Sequence, residues 1–459
     1  MSIVTRIKAY FGKSEIKHCT FNPDGPGVVR VHLLPPKKSL VGSRTHVVIL
    51  NGYYILPIGE SWAALLSAFI DEVNPYHGHE ISEEDGTLIY ASTVRRVKRL
   101  YPSVSDGELY ADLEVILDTL FAVARGEMPD EYIERMSIRE YSKSMVAPHR
   151  MDLLISAMTD AEGCWKCNQK CTFCYAAGQN KASTPELSTK DWKRIIDKLW
   201  DAGVPMVTFT GGEPTMREDL AELVAYAKRF VTRVNTNGVL LTPELALGLR
   251  EAGLDSVQVT LYSHDGDIHN ALVGAEHFTD TVAGIKAAVS EGLDVSVNTP
   301  LCGVNSDYVK TLEFIYTLGV RFVTVSGLIA TGKLEGRAER YDLARCELEE
   351  ILRGAKAYCD GVGMEIDFTS PGLVGREVLE SLGMKVPACG ACLSNMAIAP
   401  NGDAVPCQSW LGEDATLGNL LTDDFKDIWS SSLCHKLRSM TEEEAEGCPL
   451  RKRGGSDNG

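Results

Sequence analysis

Between residues 151 and 326 short apolar runs alternate with amphipathic stretches, the rhythm of parallel strands joined by crossover helices. The predicted strands are Met151–Met158, Val204–Thr210, Thr232–Thr236, Ser256–Leu261, Asp294–Thr299 and Arg321–Ser326. Helix starts stand between them: Ser188 with Asp191 three residues on, and Thr242 before Pro243 at the first helical position. Six such units close into a partial barrel or lie open as a doubly wound sheet, and periodicity fits both. In either, ligands gather at the carboxyl ends of the strands. The amino-terminal region has another rhythm. Asn51-Gly52 separates two β-rich runs within His46–Pro57, a hairpin signal, and Trp62, Leu65, Leu66, Phe69, Ile70 and Val73 then recur on one helical face. A second helix opens on the capping box Ser105 to Glu108, buries Leu109, Leu113, Ile116, Leu117, Leu120 and Phe121, and stops near Gly126. Hairpin plus helices predicts a winged-helix-like module over 1–126. Residues 127–150, with Pro129 and Pro148, read as a linker to a βα region over 151–384. From 385 to 459 the alternation is lost and cysteines take over.

A chain of 459 residues has room for two to four domains. With 44% apolar and 24% charged residues it sits near the globular average, which disfavours disorder, collagen-like repetition and coiled coil. The formal net charge of −17 opposes binding to nucleic acid or to an anionic membrane. No apolar run reaches the roughly 18 residues of a membrane span, and charges interrupt the first residues too early for a signal peptide. A cytoplasmic protein is expected, whose thirteen cysteines serve metal or redox chemistry rather than disulfides.

Their distribution is uneven. Cys164, Cys167, Cys171 and Cys174 fall together after the first predicted strand of the βα region, and Cys389, Cys392, Cys407, Cys434 and Cys448 lie near the carboxyl end. Cys19, Cys302, Cys346 and Cys359 read as small packing residues. All four thiols of the first group suit a structural zinc site; three of them alone suit an iron–sulfur cluster with one iron left open for a ligand. Cys167-x-x-x-Cys171-x-x-Cys174, with aromatic Phe173 before the last Cys, resembles the radical S-adenosylmethionine (SAM) superfamily. The resemblance implies a partial (β/α)6 barrel in which these three cysteines hold a 4Fe-4S cluster. It also implies that SAM chelates the fourth iron and is cleaved reductively to a 5′-deoxyadenosyl radical that abstracts hydrogen from a substrate. Thr210-Gly211-Gly212-Glu213-Pro214 ends the second predicted strand and resembles the family's motif for the SAM amino group, with Glu213 paired to the ammonium. By the same resemblance Asn235 and Asn237 belong to the next SAM-side loop, and Asn298 and Ser326 are candidates for ribose, carboxylate or adenine contacts. Catalytic acid–base residues stay unassigned.

The carboxyl-terminal group has its own turn. Pro400-Asn401-Gly402-Asp403 lies between two short β-like runs and folds Cys407 back toward Cys389 and Cys392, a geometry that serves zinc or iron equally. The stretch resembles the SPASM/twitch extension of radical SAM enzymes, which holds auxiliary 4Fe-4S clusters, and Leu417–Leu420 and Ile428–Leu437 match its continuation. After Cys448 the further cysteines of a full SPASM domain are missing, so the resemblance implies one auxiliary cluster on Cys389, Cys392, Cys407 and Cys448, with Cys434 as a packing residue.

Residues 1–126 resemble the leader-peptide recognition domain related to the pyrroloquinoline-quinone peptide chaperone, which binds peptides as an added strand. The basic stretch Val94–Leu100 suits an acidic leader, or is a solvated helix face. The expected function is a maturase that forms a crosslink, thioether or epimer in a ribosomally made precursor peptide. A ferredoxin or flavodoxin is the implied electron donor. Radical chemistry on a small molecule such as a tetrapyrrole is the second reading. A zinc-stabilised nucleic-acid-binding regulator is a third, opposed by the charge and by the Gly-Gly-Glu-Pro motif.

Overall fold

The computed structural model describes residues 16–21, 29–35, 46–52, 54–76, 80–124, 136–142, 145–160, 162–183, 185–329, 331–335 and 341–452. They form two compact units, the first reaching His149 and including 199–206 and 229–231, the second containing the rest.

In the first unit, strands β1 (Lys17–Phe21), β2 (Val29–Leu34), β3 (His46–Leu50) and β4 (Tyr54–Ile58) pair antiparallel in sequence order. The hairpin expected at Asn51-Gly52 is present: both residues take positive φ, 51° and 63°, and Asn51 Oδ1 accepts from Arg30 N at 2.8 Å. β1 and β2 were not legible because their pattern is not apolar. Arg30 and His32 are buried at 5% and 1% exposure, and a sheet face carrying charge and imidazole has no hydrophobic signature. His32 contacts His18 through a 2.7 Å bond between Nδ1 atoms, and His18 stacks on Trp200 at 3.9 Å. Helices Glu60–Val73, Glu83–Lys98 and Asp106–Ala124 cover one apolar core that includes Leu65, Leu66, Phe69, Ile70, Leu113 and Leu117. The predicted capping box is closed in both directions: Ser105 N donates to Glu108 Oε2 at 2.8 Å and Glu108 N to Ser105 Oγ at 3.2 Å. Gly126, Pro129 and the other residues of 127–135, with 143–144, lie outside the described residues. The basic stretch lies at the end of the helix Glu83–Lys98 and just beyond it, with Arg95 and Arg99 exposed and Arg96 and Lys98 paired. Val94 and Val97 are buried, Arg96 pairs with Asp71 and Glu72, and Lys98 pairs with Asp106.

The second unit is built on one sheet. Six strands come close to the expected bounds: β5 (Arg150–Ser156), β6 (Met206–Gly211), β7 (Val231–Thr236), β8 (Ser256–Thr260), β9 (Asp294–Pro300) and β10 (Phe322–Ser326). They were legible because both faces are covered and the runs are apolar. β11 (Glu365–Phe368), too short to predict, pairs parallel to β10. The strand order runs without reversal from β5 to β11, the winding of a barrel rather than of a doubly wound sheet. Across its inner face Gln258 Nε2 on β8 reaches Thr324 Oγ1 on β10 at 3.2 Å, and Thr324 donates to Asn298 Oδ1 on β9 at 2.9 Å. A contact that skips a strand requires a strongly curved sheet. The helix starts also agree: Asp191 N donates to Ser188 Oγ, and Leu245 N to Thr242 Oγ1, each at 3.2 Å.

The carboxyl-terminal region is joined to this sheet. β12 (Asn395–Ile398) pairs parallel with β5, placing Asn395 opposite Arg150, and β13 (Asp403–Val405) returns antiparallel to it through the expected turn. β14 (Gly418–Asn419) completes the edge. Among the described residues no helix is long and apolar enough to cross a membrane.

Candidate active site

The first cysteine group sits on the loop that leaves the carboxyl end of β5. Lys170 N and Thr172 N donate to the carbonyls of Val273 and Leu272 at 2.9 and 2.8 Å, which fixes the loop against a helix end. Phe173 is 7% exposed and packs with Tyr262, Tyr341, Leu272 and Leu334, so its ring anchors the loop. Cys167, Cys171 and Cys174 turn into a common space where burial pushes their thiols up, to about 12 for Cys167 and Cys171. Cys167 Sγ donates to the Gly212 carbonyl at 3.3 Å. Cys164 is apart: it is exposed, in a turn where its N–H donates to Asp160 Oδ1 at 2.7 Å.

The Gly-Gly-Glu-Pro segment lies directly beside this loop. Gly211 has φ of 134°, and a Cβ there would stand 2.3 Å from the Ser156 carbonyl; one on Gly212 would stand 2.7 Å from that of Ala157. Only glycines let β6 end so close to β5. Glu213 is 2% exposed. Its Oε1 accepts from Thr215 N at 3.0 Å and from the hydroxyls of Thr215 and Thr236 at 2.6 Å, while Oε2 accepts from Asn237 N at 2.8 Å. Oε1 is thereby saturated, and Oε2 is the oxygen with a lone pair left for a cation. Burial raises the Glu213 carboxyl despite these bonds, so a cation is the partner that would restore its charge. Pro214 is buried and opens a short helical turn.

The remaining candidates divide. Asn237 ties the motifs together, its Nδ2 donating to Asn168 Oδ1 on the cysteine loop at 2.6 Å while its own N–H serves Glu213. Asn235 Oδ1 is buried without a partner, as are Ser156 Oγ, Thr208 Oγ1 and Gln169 Nε2. These orphaned groups lie on β5, β6, β7 and the loop after β5, and they fit a polar ligand seated on the strands. Asn298 spends its Oδ1 on Thr324, and Ser326, half-buried at the end of β10, holds Leu301 N with its backbone carbonyl at 2.7 Å. Asn168 and Thr236 were missed because their bonds, to Asn237 and to Glu213, cross 69 and 23 residues and leave no local pattern, while Thr215, next to Pro214, carries no signal beyond that of an ordinary turn.

The second cysteine group lies at the opposite end of the strands, before β12 and after β13. Cys407 is pushed up to about 12 by burial, and Cys389 and Cys448 add to the shift as neighbours. Cys392 is fully buried with φ of 56°. It shares a side-chain hydrogen bond with Cys434, which holds Cys392 up and Cys434 down, and Arg438 donates to Cys434 Sγ at 3.2 Å. Cys434 is fully buried, as a packing residue is, and its sulfur also meets Cys392 and Arg438. Arg438, four residues on along one helix face, was the available signal. Among the described residues no three Cys, His, Asp or Glu side chains converge as tightly as a single ion requires. The thiols of a cubane bind different irons and stand further apart.

The pattern of the Radical SAM superfamily matches residues 166–315, spanning both motifs, and that of the SPASM iron–sulfur cluster-binding domain matches 389–449. The chain is a radical SAM enzyme of SPASM type. An AdoMet-dependent heme synthase of Nitratidesulfovibrio vulgaris is 28% identical over 303 residues, 61% of this chain and 80% of the relative. A PqqA peptide cyclase of Granulibacter bethesdensis is 27% identical over 306 residues, 63% of this chain and 77% of the relative. Streptococcus suis SuiB bound to its precursor peptide SuiA has the same fold, with a TM-score of 0.59 at 18% identity, covering 88% of this chain and 92% of SuiB. As a radical SAM enzyme the chain works with a 4Fe-4S cluster and SAM, and its SPASM domain implies auxiliary iron–sulfur chemistry. The three half-buried cysteines, the glycine cradle and the orphaned polar atoms fit those groups.

Proposed function

We propose that this radical SAM enzyme modifies a ribosomally made precursor peptide, by crosslink, thioether or epimer formation, in the cytoplasm with a ferredoxin or flavodoxin as electron donor. The observation that carries this reading is the extent of the likeness. The peptide-bound SuiB structure covers 88% of the chain, more than the second unit alone contains, so the likeness reaches into the first unit. A four-stranded sheet in the first unit offers edges for strand addition. The heme synthase relative favours a tetrapyrrole-like small molecule as the second reading. Anaerobic incubation with SAM, reductant and the peptide encoded beside the gene, read by mass spectrometry, decides between them. A mass change in the peptide that depends on SAM is expected, and an untouched peptide with a modified tetrapyrrole overturns the reading.

In this proposal Cys167, Cys171 and Cys174 hold the cluster that supplies the electron for SAM cleavage. Glu213 Oε2 receives the SAM ammonium, with Gly211, Gly212 and Pro214 shaping the backbone beneath it. Asn235, Asn298 and Ser326 offer polar contacts to the rest of the cofactor, and Asn237 keeps the glutamate and the cysteine loop in register. Cys389, Cys392, Cys407 and Cys448 hold one auxiliary cluster. Glu213→Ala is expected to weaken SAM binding by about 1.5–3 kcal/mol, the range for hydrogen bonds to charged groups. Calorimetry with unchanged affinity would return Glu213 to a role in the turn alone.

A further inference from the structure

The turn after β10, residues Gly332–Leu334, presses against the first cysteine loop and was not singled out by any sequence motif. It also lies beyond the matched superfamily region. Lys333 Nζ donates to the carbonyls of Lys170 and Cys171 at 2.8 and 3.0 Å and stands 4.7 Å from the centre of the Trp165 ring. The Lys333 N–H donates to the Cys174 carbonyl at 3.2 Å. Gly332 has φ of 62°, and a Cβ there would meet the Cys174 carbonyl at 2.3 Å, so the turn touches the loop with backbone as well as side chain. One lysine thus fastens the loop at two of the three cysteines and fixes a positive charge on it.

We infer that Lys333 is a positioning residue that clamps the cluster loop and, through its charge, makes the cluster held by Cys167, Cys171 and Cys174 easier to reduce. The ammonium is hydrogen-bonded to the carbonyl of Cys171, one of the three cysteines, so its charge is fixed on the loop that carries them. Reduction adds one electron to the cluster and its thiolates, and a fixed cation stabilises the more negative of two states. The carbonyls and the Trp165 face hold the ammonium in place, so little is lost to reorganisation when the electron arrives. Arg on the same stem keeps the charge; Met keeps the length and removes it.

This inference rests on the assignment of the triad as cluster ligands, and the test separates the two. The full chain is purified anaerobically, its iron counted, and its clusters titrated with reductant under electron paramagnetic resonance. The signal that changes on adding SAM reports the triad cluster, and its absence from the unaltered protein would sink the ligand assignment itself. Lys333→Met is expected to keep its iron while, at a fixed potential, its ratio of reduced to oxidised cluster falls about tenfold, equivalent to about 59 mV for one electron. Lys333→Arg should stay within about threefold of the unaltered protein by the same scale. Retained iron with an unchanged midpoint in Lys333→Met overturns the inference. If that variant loses iron, Lys333→Gln, which keeps an N–H donor for the carbonyls without charge, decides in its place. A lowered midpoint there supports the inference, and an unaltered midpoint, or loss of iron from Lys333→Arg as well, overturns it.

Discussion

Replacing Cys167, Cys171 and Cys174 together by Ala is expected to abolish reductive SAM cleavage and to lower iron from about eight to about four per chain, one cubane of two. Burial holds Cys167 and Cys171 near pKa 12, so without metal the loop carries protonated thiols. Cluster assembly must displace those protons, and the iron–thiolate bonds provide the driving force. Alanine leaves the loop beside Gly212 with no sulfur donor. Cys164 does not substitute, since it is exposed in its own turn with Asp160. Cys164→Ala should therefore keep iron and cleavage. The measurements are iron content and 5′-deoxyadenosine after anaerobic incubation with SAM and a strong reductant. Formation of that product by the triple variant would falsify the ligand assignment.

Cys407→Ala is expected to remove the other four irons, about half the total, and to lower soluble yield. The segments it ties together have little regular structure of their own. β12, β13 and β14 contain four, three and two residues, and Cys389 is joined to the end of the chain through its N–H to the Ala445 carbonyl at 2.6 Å. Burial of Met396, Ile398 and Val405 holds these strands on the sheet, and metal bonds fix the irregular cysteine-bearing segments that flank them. Cys434→Ala should retain the irons, because Cys434 bonds to Cys392 and Arg438 rather than completing the proposed set. Close to twelve irons in the unaltered chain would assign Cys434 or Cys164 to a third cluster, and zinc in place of the second four irons would undo the auxiliary assignment.

The six central strands and the two chemical motifs were legible because each has a local cause. A strand covered on both faces must be apolar throughout, and ligands on one loop must recur at fixed spacing. What escaped has a long-range cause. β2 hides Arg30 and His32 inside, against partners that the chain supplies at Trp200 and Asn51. The Glu213 network needs Thr236 and Asn237 from the next strand, and Lys333 is one lysine in a turn whose meaning lies in carbonyls more than 160 residues earlier. Cys434 lay between the two cases, since its Arg438 partner is local but its Cys392 partner is not.

The parallel pairing of β5 with β12 bears on biosynthesis. β5 is the first barrel strand to leave the ribosome, yet its outer neighbour begins at Asn395, after every other barrel strand has been made. Throughout that interval one edge of β5 stays unpaired, with apolar Met151, Leu153, Leu154 and Ile155 along it. An open hydrophobic edge is a template for pairing with another nascent chain. Closing it requires the carboxyl-terminal hairpin, whose flanking segments are fixed by metal bonds. Cells that make the protein faster than they supply iron and sulfide should therefore accumulate insoluble chains, and slowing translation or boosting cluster assembly should rescue yield by the same route.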